Sequence, residues 1–201
     1  MSPERLILAS SSRYRQELLS RLKLPFKVAI PDIDESPLPG ESPLLTATRL
    51  SEQKARAVAH LHPGALIIGS DQVAVCEGQR LDKPMAHALA VSQLLLVSGR
   101  PVVFQTAVTV FNSASGNVQT EVIPTDVRFR VLSKTHIESY LSLEPAYDCA
   151  GSAKVEGLGI SLMEHIRSAD PTALIGLPLL ALCRMLRAAG ADPLDTTNSL
   201  P

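Results

Sequence analysis

Tryptophan is absent from this 201-residue chain, and all aromatic residues together make up 3% of it. Platforms for single-stranded nucleic acid stack bases on exposed rings, so such a poor supply argues against that class of partner. Charge argues the same way. With a formal net charge of -1, the chain has no global field to draw in nucleic acid or an anionic membrane, so a polyanionic ligand must be held by a local cluster of cations. The cysteines, Cys76, Cys149 and Cys183, are odd in number, widely spaced and lack a CxxC pair. That excludes a disulfide framework or a zinc site and leaves reduced core thiols. No run reaches the roughly 18 apolar residues of a membrane span. The first residues are too polar for a secretory leader, so a cytoplasmic protein with no membrane partner is expected. Also missing are GxxxxGKS, GxxxxGKT, GxGxxG, GxSxG and HExxH.

What is present is 45% hydrophobic content, enough for a substantial core in one domain or one domain with two lobes. Residues 5–9 are short and apolar, like a strand buried on both faces, and Ser10 to Ser12 offer capping hydroxyls before a helix expected to run to about Lys23. Arg13, Arg15 and Gln16 crowd the first turn of that helix. Cations there oppose the helix dipole unless an anion occupies the site. Residues 30–43, with four prolines, one glycine and a cluster of acids, read as a loop of functional length. Ser42 and Pro43 open a second helix to about His60. A strand interrupted at Gly69-Ser70-Asp71 follows, then a turn at Glu77-Gly78 and a helix over 86–98. Two long segments flanking Ser115-Gly116 resemble an antiparallel hairpin. A helix over 133–143, a glycine-punctuated stretch at 151–159, a final helix from Pro171 to about Ala189 and a frayed tail over 192–201 complete the chain. Helices alternate with strands, but the hairpin makes the expected α/β sheet mixed rather than purely parallel.

Charges at the ends of these elements are the candidates for chemistry. Arg13 and Arg15 read equally as a solvated surface or an anion site, and the dipole argument favours the second. Asp71 reads as a turn residue or, because Val73, Ala74 and Val75 continue the apolar run, as a carboxylate in a desolvated site that needs a partner or a task. Lys54, in an alanine-rich helix beside Glu52 and Arg56, reads first as solvent-facing. Lys83 before Pro84 is evenly balanced between a turn cation and a ligand group. Glu35, with Asp32 and Asp34, reads more readily as a solvated acid than as a Mg2+ ligand. His60 and His62 suit a helix C-terminus better than a metal. Arg128 and Arg130 are expected to face water.

Taken together, LILASSSRYRQELL, the Asp34-Glu35 pair, LSEQKA, IIGSDQV, LDKP and GSAKVEGLGI resemble the Maf-type nucleotide pyrophosphatases, in order, over residues 5–190. The resemblance implies a two-lobed Maf/ITPase-like α/β fold over 1–191, with a central mixed, elongated β-sheet flanked by helices around a cleft. It also implies hydrolysis of nucleoside triphosphates to the monophosphate and diphosphate with Mg2+ or Mn2+. By position, Ser12 and Arg15 match the phosphate ligands, Glu35 the metal-binding acid, Lys54 the helix lysine, Asp71 the general base and Lys83 the lysine before proline. Arg13 and Tyr14 replace the usual proline and arginine, and Asp82 replaces a glycine beside Lys83. Tyr14, Gln72 and Glu156 resemble the branch acting on 7-methyl-GTP rather than that acting on dTTP and UTP. The chemistry agrees, since N7-methylation makes guanine cationic, which an aromatic face and a carboxylate attract and an arginine repels. Gln72 reads as a base-edge contact or as a plain strand residue. A homodimer is carried by the resemblance alone. An ITP-directed enzyme and a nucleotide-sensing regulator of septum formation are the alternative readings.

Overall fold

The computed structural model describes residues 5–195. Its elements run β1 (Leu6–Ala9), α1 (Arg13–Ser20), β2 (Lys27–Ala29), α2 (Pro43–Ala57), β3 (Leu66–Cys76), β4 (Gln79–Leu81), α3 (His87–Val97), β5 (Pro101–Asn112), β6 (Val118–Phe129), α4 (Lys134–Leu143), β7 (Met163–Ser168) and α5 (Leu179–Ala188). The strands form one mixed seven-stranded sheet in the order β2-β1-β3-β5-β6-β7, with β4 joined to β3. The described residues divide into two compact units, one of 5–72, 106–123 and 170–195 and the other of 73–105 and 124–169.

In the first unit β1 is the centre. It pairs in parallel with β2 and with β3, Leu6 opposite Leu66 and Ala9 opposite Gly69. All four of its residues are buried, as an apolar run between two covered faces requires. Because successive side chains alternate, Leu6 and Leu8 pack with Leu18 and Leu19 of α1 and Leu182 and Leu186 of α5, while Ile7 packs on the other face with Ala55, Val58 and Phe111. Helix α2 begins as its sequence dictates, with the Ser42 hydroxyl accepting from Leu45 N and Pro43 in the first turn. It then runs against β3 at Gly69, where an added Cβ would lie 1.9 Å from the Ser51 carbonyl oxygen. Only a glycine permits that approach.

In the second unit β4 returns antiparallel to the end of β3 across Glu77 and Gly78, both at positive φ. β7 runs antiparallel to β6, with a bulge at Arg128/Phe129. Helix α3 packs on α4, which opens with a capping box between Ser133 and His136.

Several boundaries differ from the sequence reading. α1 stops at Ser20, ahead of a turn that places Lys23 at φ 56. α2 ends at Ala57 and gives way to a 3-10 turn over Ala59–Leu61. β3 is continuous through Gly69-Ser70-Asp71, because β1 pairs up to Gly69 and the strand goes on to Cys76. The last helix begins at Leu179 rather than Pro171, since Gly176 at φ 116 and Pro178 break the earlier turn. Residues 192–195 form a turn on the Asp192 carboxylate, and 196–201 lie outside the described residues. Of the cysteines Cys76 is buried, whereas Cys149 and Cys183 are only partly covered, and none of the three is in a disulfide. Among the described residues no helix is long and apolar enough to cross a membrane.

Candidate functional site

The site of the first unit is built on the junction of β3 with α2. Asp71 follows the point where α2 touches β3, and it is 6% exposed. Lys54, one turn along α2 from Ser51, is 5% exposed and points to it, with Nζ donating to Asp71 Oδ1 at 2.7 Å. The same ammonium donates to Glu35 Oε2 at 2.8 Å. Glu35 hangs from the acidic loop with more than half of its side chain exposed. A buried lysine with two carboxylates is paired, as burial of a charge demands. The solvent-facing reading of Lys54 is therefore corrected. Its position was visible in the sequence: Ala47, Leu50, Ser51, Lys54, Ala55 and Val58 share one helical stripe, and all are buried.

Arg15 joins this cluster from the first turn of α1. Its Nε donates to the Gly176 carbonyl at 2.8 Å, which partly offsets the unfavourable end of the helix. Burial lowers the pKa of the guanidinium, while the fields of Asp71 and Glu35 raise it. An arginine under these opposed effects stays charged at neutral pH. Gly176 is itself held in place, because Ser70 Oγ donates to the same carbonyl at 2.8 Å. The fully buried Asp170 carboxylate accepts from Leu180 N at 2.7 Å and from Thr172 Oγ1 at 2.7 Å. Asp170 thus serves the exposed donors at the start of α5, which has no cap from its own flank. Ser70, Asp170 and Thr172 escaped the sequence reading, and an aspartate before Pro171 was their only local sign.

Ser12 is the N-cap of α1, its hydroxyl accepting from Arg15 N at 3.4 Å. Tyr14 is half-buried and meets Arg13, whose guanidinium lies 5.0 Å from the ring centroid and whose Nη2 donates to the phenolic oxygen at 3.2 Å. Gln72 is more than a plain strand residue. Its amide nitrogen donates to Thr106 Oγ1 at 2.9 Å and to the Ala173 and Leu174 carbonyls at 3.1 Å, pinning the turn before Gly176. Lys83 and Glu156 belong to the second unit and are exposed. Lys83 follows Asp82, whose carboxylate takes Arg80 Nε at 2.7 Å. Glu156 sits in a turn held by Tyr140, whose hydroxyl accepts from Lys154 N at 3.0 Å, and by Glu144, whose carboxylate accepts from Gly159 N at 3.1 Å. Arg128 and Arg130 are at the surface, as expected, with Arg128 near Glu164 and Arg130 donating to the Ser161 carbonyl.

Among the described residues no group of three or more His, Cys, Asp and Glu side chains is placed to hold a metal. The oxygen donors gathered near Lys54 are the carboxylates of Glu35 and Asp71. Two carboxylates suit Mg2+ or Mn2+, which complete their shells with water and phosphate oxygens, better than an all-protein cage.

This site lies in a chain with extensive likenesses. A 7-methyl-GTP pyrophosphatase of Nitrosospira multiformis is 56% identical over 94% of this chain and 96% of its own length. One from Cupriavidus metallidurans is 58% identical over 92% and 93%. A dITP/XTP pyrophosphatase structure from Mycobacterium abscessus superposes with a TM-score of 0.42 at 18% identity, over 92% of this chain and 97% of that one, too loosely to bear on the assignment. Residues 5–189, which include Arg15, Glu35, Lys54 and Asp71, match the Maf-like protein family, and this chain belongs to it.

Proposed function

We propose that the chain is a nucleoside triphosphate pyrophosphatase that converts 7-methyl-GTP to the monophosphate and diphosphate. The carrying observation is the buried Lys54 that holds Asp71 at 2.7 Å and Glu35 at 2.8 Å, in the field of Arg15. Lys54 fixes the Asp71 carboxylate through Oδ1, leaving Oδ2 to take a proton from water as its oxygen attacks the α-phosphorus. The new P–O bond forms, the α–β bridge breaks, and the diphosphate leaves with the bridging oxygen and its electron pair. Arg15 lowers the cost of charge on the phosphate oxygens, and the Ser12 hydroxyl stands beside it at the helix start. Glu35 would hold the divalent cation, whose chemistry would be to neutralise the triphosphate.

Tyr14 offers an aromatic face to a cationic base, and the Gln72 side chain stands on the same strand as Asp71. The parts given to Lys83, a charge on the departing diphosphate, and to Glu156, a carboxylate toward the methylated base, rest on the family resemblance. So do a single functional domain to residue 191 and a homodimer; a cytoplasmic location completes the proposal.

The test is diphosphate release from 7-methyl-GTP, GTP, dTTP, UTP and ITP with Mg2+. The methylated nucleotide is expected to give the highest kcat/KM. Asp71→Asn should lose about 10²- to 10³-fold in kcat with nucleotide binding retained. Tyr14→Arg with Glu156→Gln should erase the preference for the methylated base; unchanged selectivity would remove that assignment.

A further inference from the structure

Glu35 is an exposed loop side chain, yet it must stand within hydrogen-bond reach of a buried lysine. The segment after Glu35 is fastened by an ion pair that the catalytic proposal does not use. Arg49 Nε donates to Glu41 Oε1 at 2.7 Å and Nη2 donates to Glu41 Oε2 at 2.7 Å, a fork-on-fork pair. Arg49 Nη2 also donates to the Ser36 carbonyl at 3.0 Å, the residue next to Glu35. Glu41 Oε2 accepts in addition from Leu38 N at 3.0 Å and from Thr46 Oγ1 at 3.0 Å. The two side chains are 19% and 9% exposed, so water competes little for them.

Arg49 and Lys54 lie on the same helix and grip the same loop, Lys54 at Glu35 and Arg49 at Ser36 and Glu41. We propose that Glu41 and Arg49 are positioning residues that latch the acidic loop onto α2 and so fix Glu35 against Lys54. The inference rests on the pyrophosphatase reading for its catalytic consequence. The hydrogen bonds from Arg49 hold the Glu41 carboxyl down at about 2, so the latch stays closed throughout the neutral range. A lysine at position 49 keeps the charge but cannot make the two-pronged contact.

The experiment measures kcat and KM for 7-methyl-GTP with Mg2+, using Arg49→Lys, Glu41→Gln and Glu35→Ala, alone and combined. Arg56→Lys is the control, altering an exposed ion pair with Glu52 on the same helix. Arg49→Lys and Glu41→Gln are expected to lower kcat by about tenfold with KM within about threefold, while the control stays within about twofold. In the Glu35→Ala background the same changes should cost less than about threefold more, because their effect passes through Glu35. Amide exchange over residues 33–38 should quicken in Arg49→Lys while α2 keeps its protection. Losses that multiply in the Glu35→Ala background, a loss no larger than the control's, or unchanged loop exchange would each overturn the latch. A wild-type chain that releases no diphosphate from any nucleotide overturns the pyrophosphatase reading instead, and the loop exchange then decides the latch by itself.

Discussion

Replacing Lys54 by methionine keeps the length of the side chain and removes its charge. Asp71, with 8% of its side chain exposed, then remains as a buried carboxylate without its ammonium. Breaking one half of such a pair costs about 3–5 kcal/mol, because the survivor is neither solvated nor neutralised. Glu35 adds little to that loss, being more than half exposed. With 201 residues the unfolding entropy is about 0.42 kcal/mol/K, so the melting temperature should fall by about 7–12 °C. Adding Asp71→Leu should recover at least about half of the lost stability, since no charge is then left in the interior. Diphosphate release should be lost in both variants, by about 10²-fold or more. Thermal unfolding followed by circular dichroism, beside the diphosphate assay, reads both quantities. A Lys54→Met protein melting within about 2 °C of wild type would refute the reasoning, for it would mean that Asp71 does not depend on the lysine.

Two further substitutions test how the site is held. Gly69→Ala sets a methyl group 1.9 Å from the Ser51 carbonyl, a backbone atom that cannot swing aside, so α2 must shift and carry Lys54 with it. Overpacking of about 1–3 kcal/mol should lower the melting temperature by about 2–7 °C and reduce kcat, and unchanged values of both would show that α2 does not need this approach. Glu41→Gln probes the latch through pH. The folded carboxyl is depressed to about 2 from an ordinary 4.5, so its stabilisation is fully present above 4.5 and is lost as pH falls toward 2. The melting temperature of wild type should exceed that of the variant by a constant margin between about pH 6 and 8, with the margin closing below about 4.5; a margin that widens in acid would contradict the pairing.

The parts of the molecule legible in the sequence are those decided within a few residues. Ser12, Ser42 and Ser133 cap their helices as their types dictate, since a cap is a bond between a side chain and a backbone group in the next turn. Apolar content places the start of the final helix too early, because it does not show that Gly176 adopts a positive φ and closes the turn before Pro178. An interrupted β3 is expected for the converse reason: Gly69 looks like a break along the chain, and only the packing of α2 reveals it as the point of closest approach.

Lys54 is the instructive case. Composition set it beside Glu52 and Arg56, which suggested a solvated face, but periodicity set it on the stripe of Leu50, Ser51 and Val58, which is buried. Periodicity was the better guide, because the helix turns a residue inward whatever its neighbours in sequence carry. A lysine on that stripe requires an anion in the interior, and one of the two readings of Asp71 is a desolvated carboxylate that needs a partner. The two observations together predict the pair. Glu35 differs, because nothing near it in the chain fixes its direction. Its place depends on Arg49 gripping Ser36 and Glu41, a tertiary arrangement with no periodic trace. The legible half of the site is therefore the half on regular elements, and the loop half becomes readable only through the residues that hold it down.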